Sequence, residues 1–160
     1  MDGHYTFDDF REIITRLRGE AGCPWDKVQT HESLKPCMMN EMTEAVAAVN
    51  ILQKTGDATN LCEELGDLLL LIMLQSEIAK EEGYFTIDDV VKVVSEKMIR
   101  RHPHVFGAAS VRSTGEVLKK WEEIKKQEKV ELTEEQKNYQ KMEVITAARE
   151  VIDHLRTENP

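Results

Sequence analysis

Four carboxylates stand in two pairs, Glu41 with Glu44 and Glu64 with Asp67, the members of each pair three residues apart. On a helix that spacing puts both members on one face, and two such faces opposed across a bundle would form a cage of oxygen ligands. Mg²⁺ and Mn²⁺ prefer such ligands, and Mg²⁺ retains waters and is completed by substrate phosphates. The chemistry implied is a half-built metal site awaiting a polyphosphate. Taken alone, Glu41 and Glu44 read more readily as surface acids. Glu64 and Asp67 do not, because they lie inside the apolar stretch Leu61 to Leu74, where an ionised carboxylate is costly unless paired or bound to metal. Gly66 between them weakens a helix by about 1 kcal/mol relative to Ala, which points to close approach of something to the backbone or to close helix packing. Glu63 lies about 100° around the helix from Glu64 and reads as solvated or as a supporting acid.

Cations follow. Lys97 and Arg101 share a face at i,i+4 with Arg100 beside them, which suits either the remaining oxygens of a triphosphate or a helix C-terminus. His102 and His104 lack a partner cluster and read as structural. Trp25 offers a ring that would stack on a base, although packing against the bundle is the simpler reading.

These residues need helices to position them. Thr6 caps a helix with Phe7, Phe10, Ile14 and Leu17 at helical spacing, closed by Gly19 and Gly22. After the loop Gly22 to Asp26, a second helix is expected from about Ser33 to Lys54, with Met38, Met42, Val46 and Val49 on one side. The third spans roughly Ala58 to Glu82 and, being apolar almost all round, reads as buried. Thr86 to Asp89 resembles a capping box and opens a fourth helix that ends near Arg101, because Pro103 disfavours helix at His102. A connector over 107–115 leads to a helix around Val117 to Lys129, and Thr133 to Gln136 caps a last one. The fold expected is all-α, a four-helix-bundle core with additional C-terminal helices. Its division would be a catalytic domain over 1–129 and a helical extension over 130–160.

Composition narrows the function. Thirty acidic against twenty-one basic residues give a net charge of -9, which argues against a broad nucleic-acid surface but leaves a free nucleotide open, since metal ions carry the compensating charge. The three cysteines form no CxxC pair, so neither a disulfide framework nor a zinc knuckle is suggested. The acidic amino terminus is unlike a secretory signal, and the longest apolar run, Leu68 to Leu74, is too short to span a bilayer. A cytoplasmic protein without membrane partners is expected.

Cys23-Pro24-Trp25-Asp26, Gln29-Thr30-His31, Glu41 with Glu44, Glu63 to Asp67, Lys97 to Phe106 and Trp121 to Lys125 together resemble the MazG family of nucleoside triphosphate pyrophosphohydrolases over roughly residues 7–129. The resemblance implies an all-α protein, completed by assembly into a homodimer or homotetramer, that uses Mg²⁺ (with Mn²⁺ as an alternative) to split a nucleoside triphosphate into monophosphate and pyrophosphate. It implies that Glu41, Glu44, Glu64 and Asp67 hold the metal and do the catalysis. Lys97, Arg101 and Arg100 fall where family members bind phosphate; Trp25 is expected beside them as a substrate-binding residue from its own ring, not from the likeness. The flanking motifs look like the first copy of longer, two-copy members. Residues 133–156 lie outside the likeness.

In one place the pattern departs. The family's first glutamate in Glu-Glu-x-x-Glu is Asn40 here. An amide can orient a water or coordinate through its oxygen, but it accepts no proton as a carboxylate does. Two rivals stand beside general triphosphate hydrolysis. One is a relative specific for dUTP or a modified nucleotide; the other is a nucleotide-binding regulatory or assembly module with little hydrolysis. A di-iron bundle would pair Glu with His at i,i+3, and no Glu-x-x-His occurs in the chain.

Overall fold

The first helix, α1 (Phe7–Arg18), begins as expected. The Thr6 side chain accepts from the Asp9 backbone N–H at 3.2 Å, and the Asp9 carboxylate accepts from the Thr6 N–H at 2.7 Å. These bonds satisfy donors that a helix start leaves orphaned, and the hydrogen bonds that the Asp9 carboxylate accepts from the Thr6 hydroxyl and then from the Thr6 N–H hold it below its ordinary pKa. Gly22 then packs where only glycine fits, since a Cβ there would stand 2.1 Å from the Leu17 carbonyl oxygen. The loop expected after it contains a single helical turn, α2 (Pro24–Lys27), started by proline at its first position.

The computed structural model describes residues 3–111, 113–128 and 132–158. After α1 and α2 come α3 (Lys35–Thr55), α4 (Thr59–Glu81), α5 (Ile87–Arg101), α6 (Pro103–Phe106), α7 (Thr114–Glu128) and α8 (Glu134–Glu158), with no strand among the described residues. The all-α expectation holds. The turn α6 was not anticipated; Pro103, which ends α5, also starts it, since proline suits a first helical position. The start of α7 lies earlier than expected because Ser113 accepts from the Glu116 N–H at 3.3 Å. Thr133 and Gln136 exchange hydrogen bonds of 2.9 and 3.2 Å at the head of α8, as the capping-box pattern predicts. The helix end expected at Lys129 and the division at 129/130 lie outside the described residues.

The chain forms two compact units, residues 1–87 with 151–160 and residues 88–150. In the first, α3 and α4 pack as a hairpin and α1 lies against α4. The hairpin turn is short because Gly56 takes a left-handed conformation (φ 76°) and its N–H caps the Leu52 carbonyl. The core joins Ile14, Leu34, Leu71, Met73, Leu74 and Ile78. Arg18, with a side chain only 5% exposed, ties this unit together: it donates to both Glu81 oxygens at 2.8 and 2.6 Å and to the Asp26 carbonyl at 2.5 Å. Gln75 on α4 bonds both the ring and the carbonyl of His31, fixing the approach to α3.

Burial is less complete than the sequence suggested. The C-terminal half of α4 is buried, but Leu65, Leu69 and Ile72 are 54%, 36% and 45% exposed, and Met38, Met42, Val46 and Val49 on α3 are exposed as well. Only part of the hairpin's apolar surface finds a partner within its own unit. In the second unit, Glu128 on α7 joins α5 by pairing with Arg100 at 2.7 Å and Arg101 at 2.5 Å, and Trp121 carries Arg101 and Lys125 over its ring at 5.5 and 4.7 Å.

Two outcomes follow for stability. Leu74→Ala removes a side chain that is 2% exposed at the centre of the core and is expected to cost about 2–5 kcal/mol, measured by urea unfolding. The Arg18 guanidinium holds the Glu81 carboxyl below its ordinary value, chiefly by their hydrogen bond. The stabilisation is therefore present above the unfolded pKa of about 4.3 and is lost as pH falls through the lowered folded value. Glu81→Gln is expected to flatten that acid limb of a stability-versus-pH curve.

Candidate metal centre

The hairpin brings together three of the four acids singled out by spacing. Glu41 on α3 and Glu64 and Asp67 on α4 each place a carboxylate oxygen within 4.8 Å of the others. Helical periodicity explains this: Glu64 and Asp67 project from one face of α4, and the Gly56 turn folds α3 back alongside. Glu64 is buried at 7% exposure, while Glu41 and Asp67 are half-buried. Glu44 stands apart as an exposed side chain, but its charge reaches Glu41. The Glu41 carboxyl is pushed above its ordinary pKa, first by burial and then by the charges of Glu44, Asp67 and Glu64.

The donor set fits a hard divalent cation. Three carboxylate oxygens converge without a thiolate or imidazole among them, the combination that suits Mg²⁺ or Mn²⁺ rather than a soft metal. Burial strengthens the case. Glu64 receives a hydrogen bond of 2.6 Å from the Asn60 amide, yet one neutral donor does little to offset the desolvation of a carboxylate beside two others. A cation shared by all three would do so.

Asn60 escaped the sequence reading, although its position four residues before Glu64 is the spacing at which helical side chains meet. A second missed residue is His154 on α8, whose Nε2 lies 2.8 Å from Asn40 Oδ1; no local pattern announces a contact across 114 positions. Glu63 is exposed, in keeping with its place around the helix. His102 bonds the Met98 carbonyl at 2.6 Å and rests against His104, which is the structural role expected. Trp25 on α2 is 55% exposed, so its ring is not packed away as the simpler reading held.

Of the expected phosphate-binding cations, Arg100 and Arg101 lie within the second unit, engaged by Glu128. Hydrogen bonds from Arg101 and then Arg100 draw the Glu128 carboxyl down to about 2. Lys97 is half-buried and makes no ion pair among the described residues.

Residues 29–106 match the model of the MazG nucleotide pyrophosphohydrolase domain. That stretch belongs to the MazG family. That span contains Glu41, Glu44, Glu64, Asp67 and the cations of α5. Among relatives of this chain, the uncharacterized protein YabN of Bacillus subtilis is 52% identical over 126 residues, 79% of the chain and 25% of that protein. The nucleoside triphosphate pyrophosphohydrolase/pyrophosphatase MazG of Thermotoga maritima is 47% identical over 123 residues, 77% of the chain and 45% of that protein. The nucleoside triphosphate pyrophosphohydrolase of Escherichia coli is 40% identical over 125 residues, 78% of the chain and 46% of that protein. The chain thus spans less than half the length of each of these relatives. No solved structure matches it. Among its described residues no helix is long and apolar enough to cross a membrane.

Gly66 lies between the two carboxylates of α4, yet among the described residues nothing stands within 4 Å of a Cβ built on it. Close packing inside the chain is therefore not its reason. Gly66→Ala is expected to raise stability by about 0.5–1 kcal/mol through helix propensity alone, measured by chemical denaturation; a loss would mean that a second molecule packs there.

Proposed function

We propose that this chain hydrolyses nucleoside triphosphates between the α and β phosphates, releasing a nucleoside monophosphate and pyrophosphate with Mg²⁺ as its cofactor and Mn²⁺ as a substitute. The observation that carries the reading is the convergence of Glu41, Glu64 and Asp67 within 4.8 Å in the segment that matches the family. Two relatives named as nucleoside triphosphate pyrophosphohydrolases support it.

A bound divalent cation would neutralise phosphate charge and acidify a bound water. The chain's own residues supply the rest. Glu64 and Asp67, fixed on one face of α4, hold their oxygens in place without rearrangement, and such preorganisation is where most of the rate in phosphoryl transfer comes from. Glu41 adds the third oxygen from α3, and the burial and neighbouring carboxylates that raise its carboxyl are a cost that a bound cation would relieve. Glu44 adds charge at the exposed rim. Lys97, Arg100 and Arg101 are assigned to substrate binding on the family likeness, and Trp25 on its exposed ring, which could stack on a base, with residues 1–129 as the catalytic domain and 130–160 as its extension.

The reading extends to assembly in the cytoplasm. The exposed apolar side chains Met42, Val46, Leu65 and Ile72 of the α3–α4 hairpin are what a second copy of the chain would cover, in a homodimer or a homotetramer.

Pyrophosphate release from a panel of ribo- and deoxyribonucleoside triphosphates, dUTP and modified nucleotides included, tests the proposal. Release in the presence of Mg²⁺ or Mn²⁺ is expected, with a loss of about 100-fold or more in Glu64→Ala and Asp67→Ala, since metal chemistry contributes several kcal/mol to such steps. Nucleotide binding without release would overturn hydrolysis in favour of a binding module.

A further inference from the structure

Asn40 is the one departure from the acidic pattern, and the structure supplies it with a partner from the far end of the chain. His154 Nε2 lies 2.8 Å from Asn40 Oδ1. His154 sits on α8, beyond the span 29–106 that matches the family, and its stretch of α8 belongs to the same compact unit as α3. Both side chains are half-buried. Since an amide oxygen only accepts, the imidazole must donate through Nε2–H.

The position of Asn40 gives this bond its meaning. It directly precedes Glu41 and stands four residues before Glu44, the spacing at which helical side chains are neighbours. Its amide has one atom able to ligate a cation, the oxygen, and the NH₂ has none. With that oxygen turned to the imidazole, a cation sharing it would meet the positive end of the N–H dipole. Among the described residues no histidine joins the group of three carboxylates, so His154 acts on the site through Asn40 and not as a ligand within that group.

Resting on the metal-site reading above, we propose that His154 is a positioning residue of the metal centre: it withdraws the Asn40 oxygen from cation binding and thereby makes the C-terminal helix part of the site. Where the family pattern offers a fourth carboxylate, this chain holds an amide in check. The carboxylates of Glu41, Glu64 and Asp67 are left as the cation's ligands from the α3–α4 hairpin. The extension sets how tightly they hold it.

The test is calorimetric titration of the full chain with Mn²⁺ alone, in the parent, His154→Ala, Asn40→Ala and the double variant, with helicity and thermal midpoint measured alongside. In His154→Ala the freed oxygen is expected to tighten Mn²⁺ binding about threefold to tenfold, the range set by one hydrogen bond of ordinary net strength. In the Asn40→Ala background the same change should have no effect, because no oxygen remains to be freed. His154→Gln, whose amide donates in place of the imidazole, should restore the parent affinity. Unchanged or weaker Mn²⁺ binding in His154→Ala, or an equal gain in the Asn40→Ala background, would overturn the proposal while leaving the metal centre standing. If the parent bound no Mn²⁺, or Asp67→Ala bound it as well as the parent, the metal centre itself would fall and the proposal with it.

Discussion

Like charges must be held together here, and the first compact unit is organised around that constraint. Two unit charges 4 Å apart interact by about 4 kcal/mol at an effective dielectric of 20, and Glu41, Glu64 and Asp67 sit within 4.8 Å of one another. Side chains left to themselves would turn away. They stay because each is rooted in a long helix whose other residues fix its position. The Gly56 turn sets the pairing of α3 with α4, and the core around Leu74 and Ile78 anchors α4 beyond the site. Arg18 clamps α1, the α2 turn and the end of α4 with one buried guanidinium. The repulsion is thus stored in the fold, and a divalent cation bound there would release it, so that the arrangement that costs stability would confer affinity.

The asymmetry between the two acidic pairs has the same origin. Asp67 and Glu64 lie on a helix that is buried or half-buried over much of its length, whereas α3 buries little beyond Ala45 and Ala48 and leaves Glu44 at the rim. Spacing alone makes the two pairs equivalent; burial does not. Glu41 feels the difference most, since desolvation and three neighbouring carboxylates all act against its ionised form.

Much of this was legible in the sequence, for identifiable reasons. Helix starts at Thr6 and Thr133 could be read because capping is a local exchange of hydrogen bonds. The acidic faces were legible because i,i+3 spacing fixes direction on a helix, and the carboxylate pair of α4 because its acids interrupt an apolar run. What stayed hidden was non-local. The α2 turn depends on Pro24 together with the Gly22 contact against Leu17. Glu128 could not be assigned to Arg100 and Arg101, because nothing in a charged stretch says which acid meets which base. The exposed stripe of Met42, Val46 and Leu65 has the composition of a core and the setting of a surface, and periodicity does not distinguish a face covered within the chain from one that is not.

Asn40 shows how a departure from a pattern is to be weighed. Considered alone it is a lost carboxylate, and the loss would be expected to weaken both metal binding and proton transfer. Set in the structure it belongs to a pair, and its partner comes from α8, outside the matched family segment. One fewer negative charge also lessens the repulsion that the hairpin must contain, so three carboxylates can sit closer than four would tolerate. If His154 positions Asn40 as proposed, the amide and the imidazole act as one pair, and a position supplied by packing stands where the acidic pattern would place a charge.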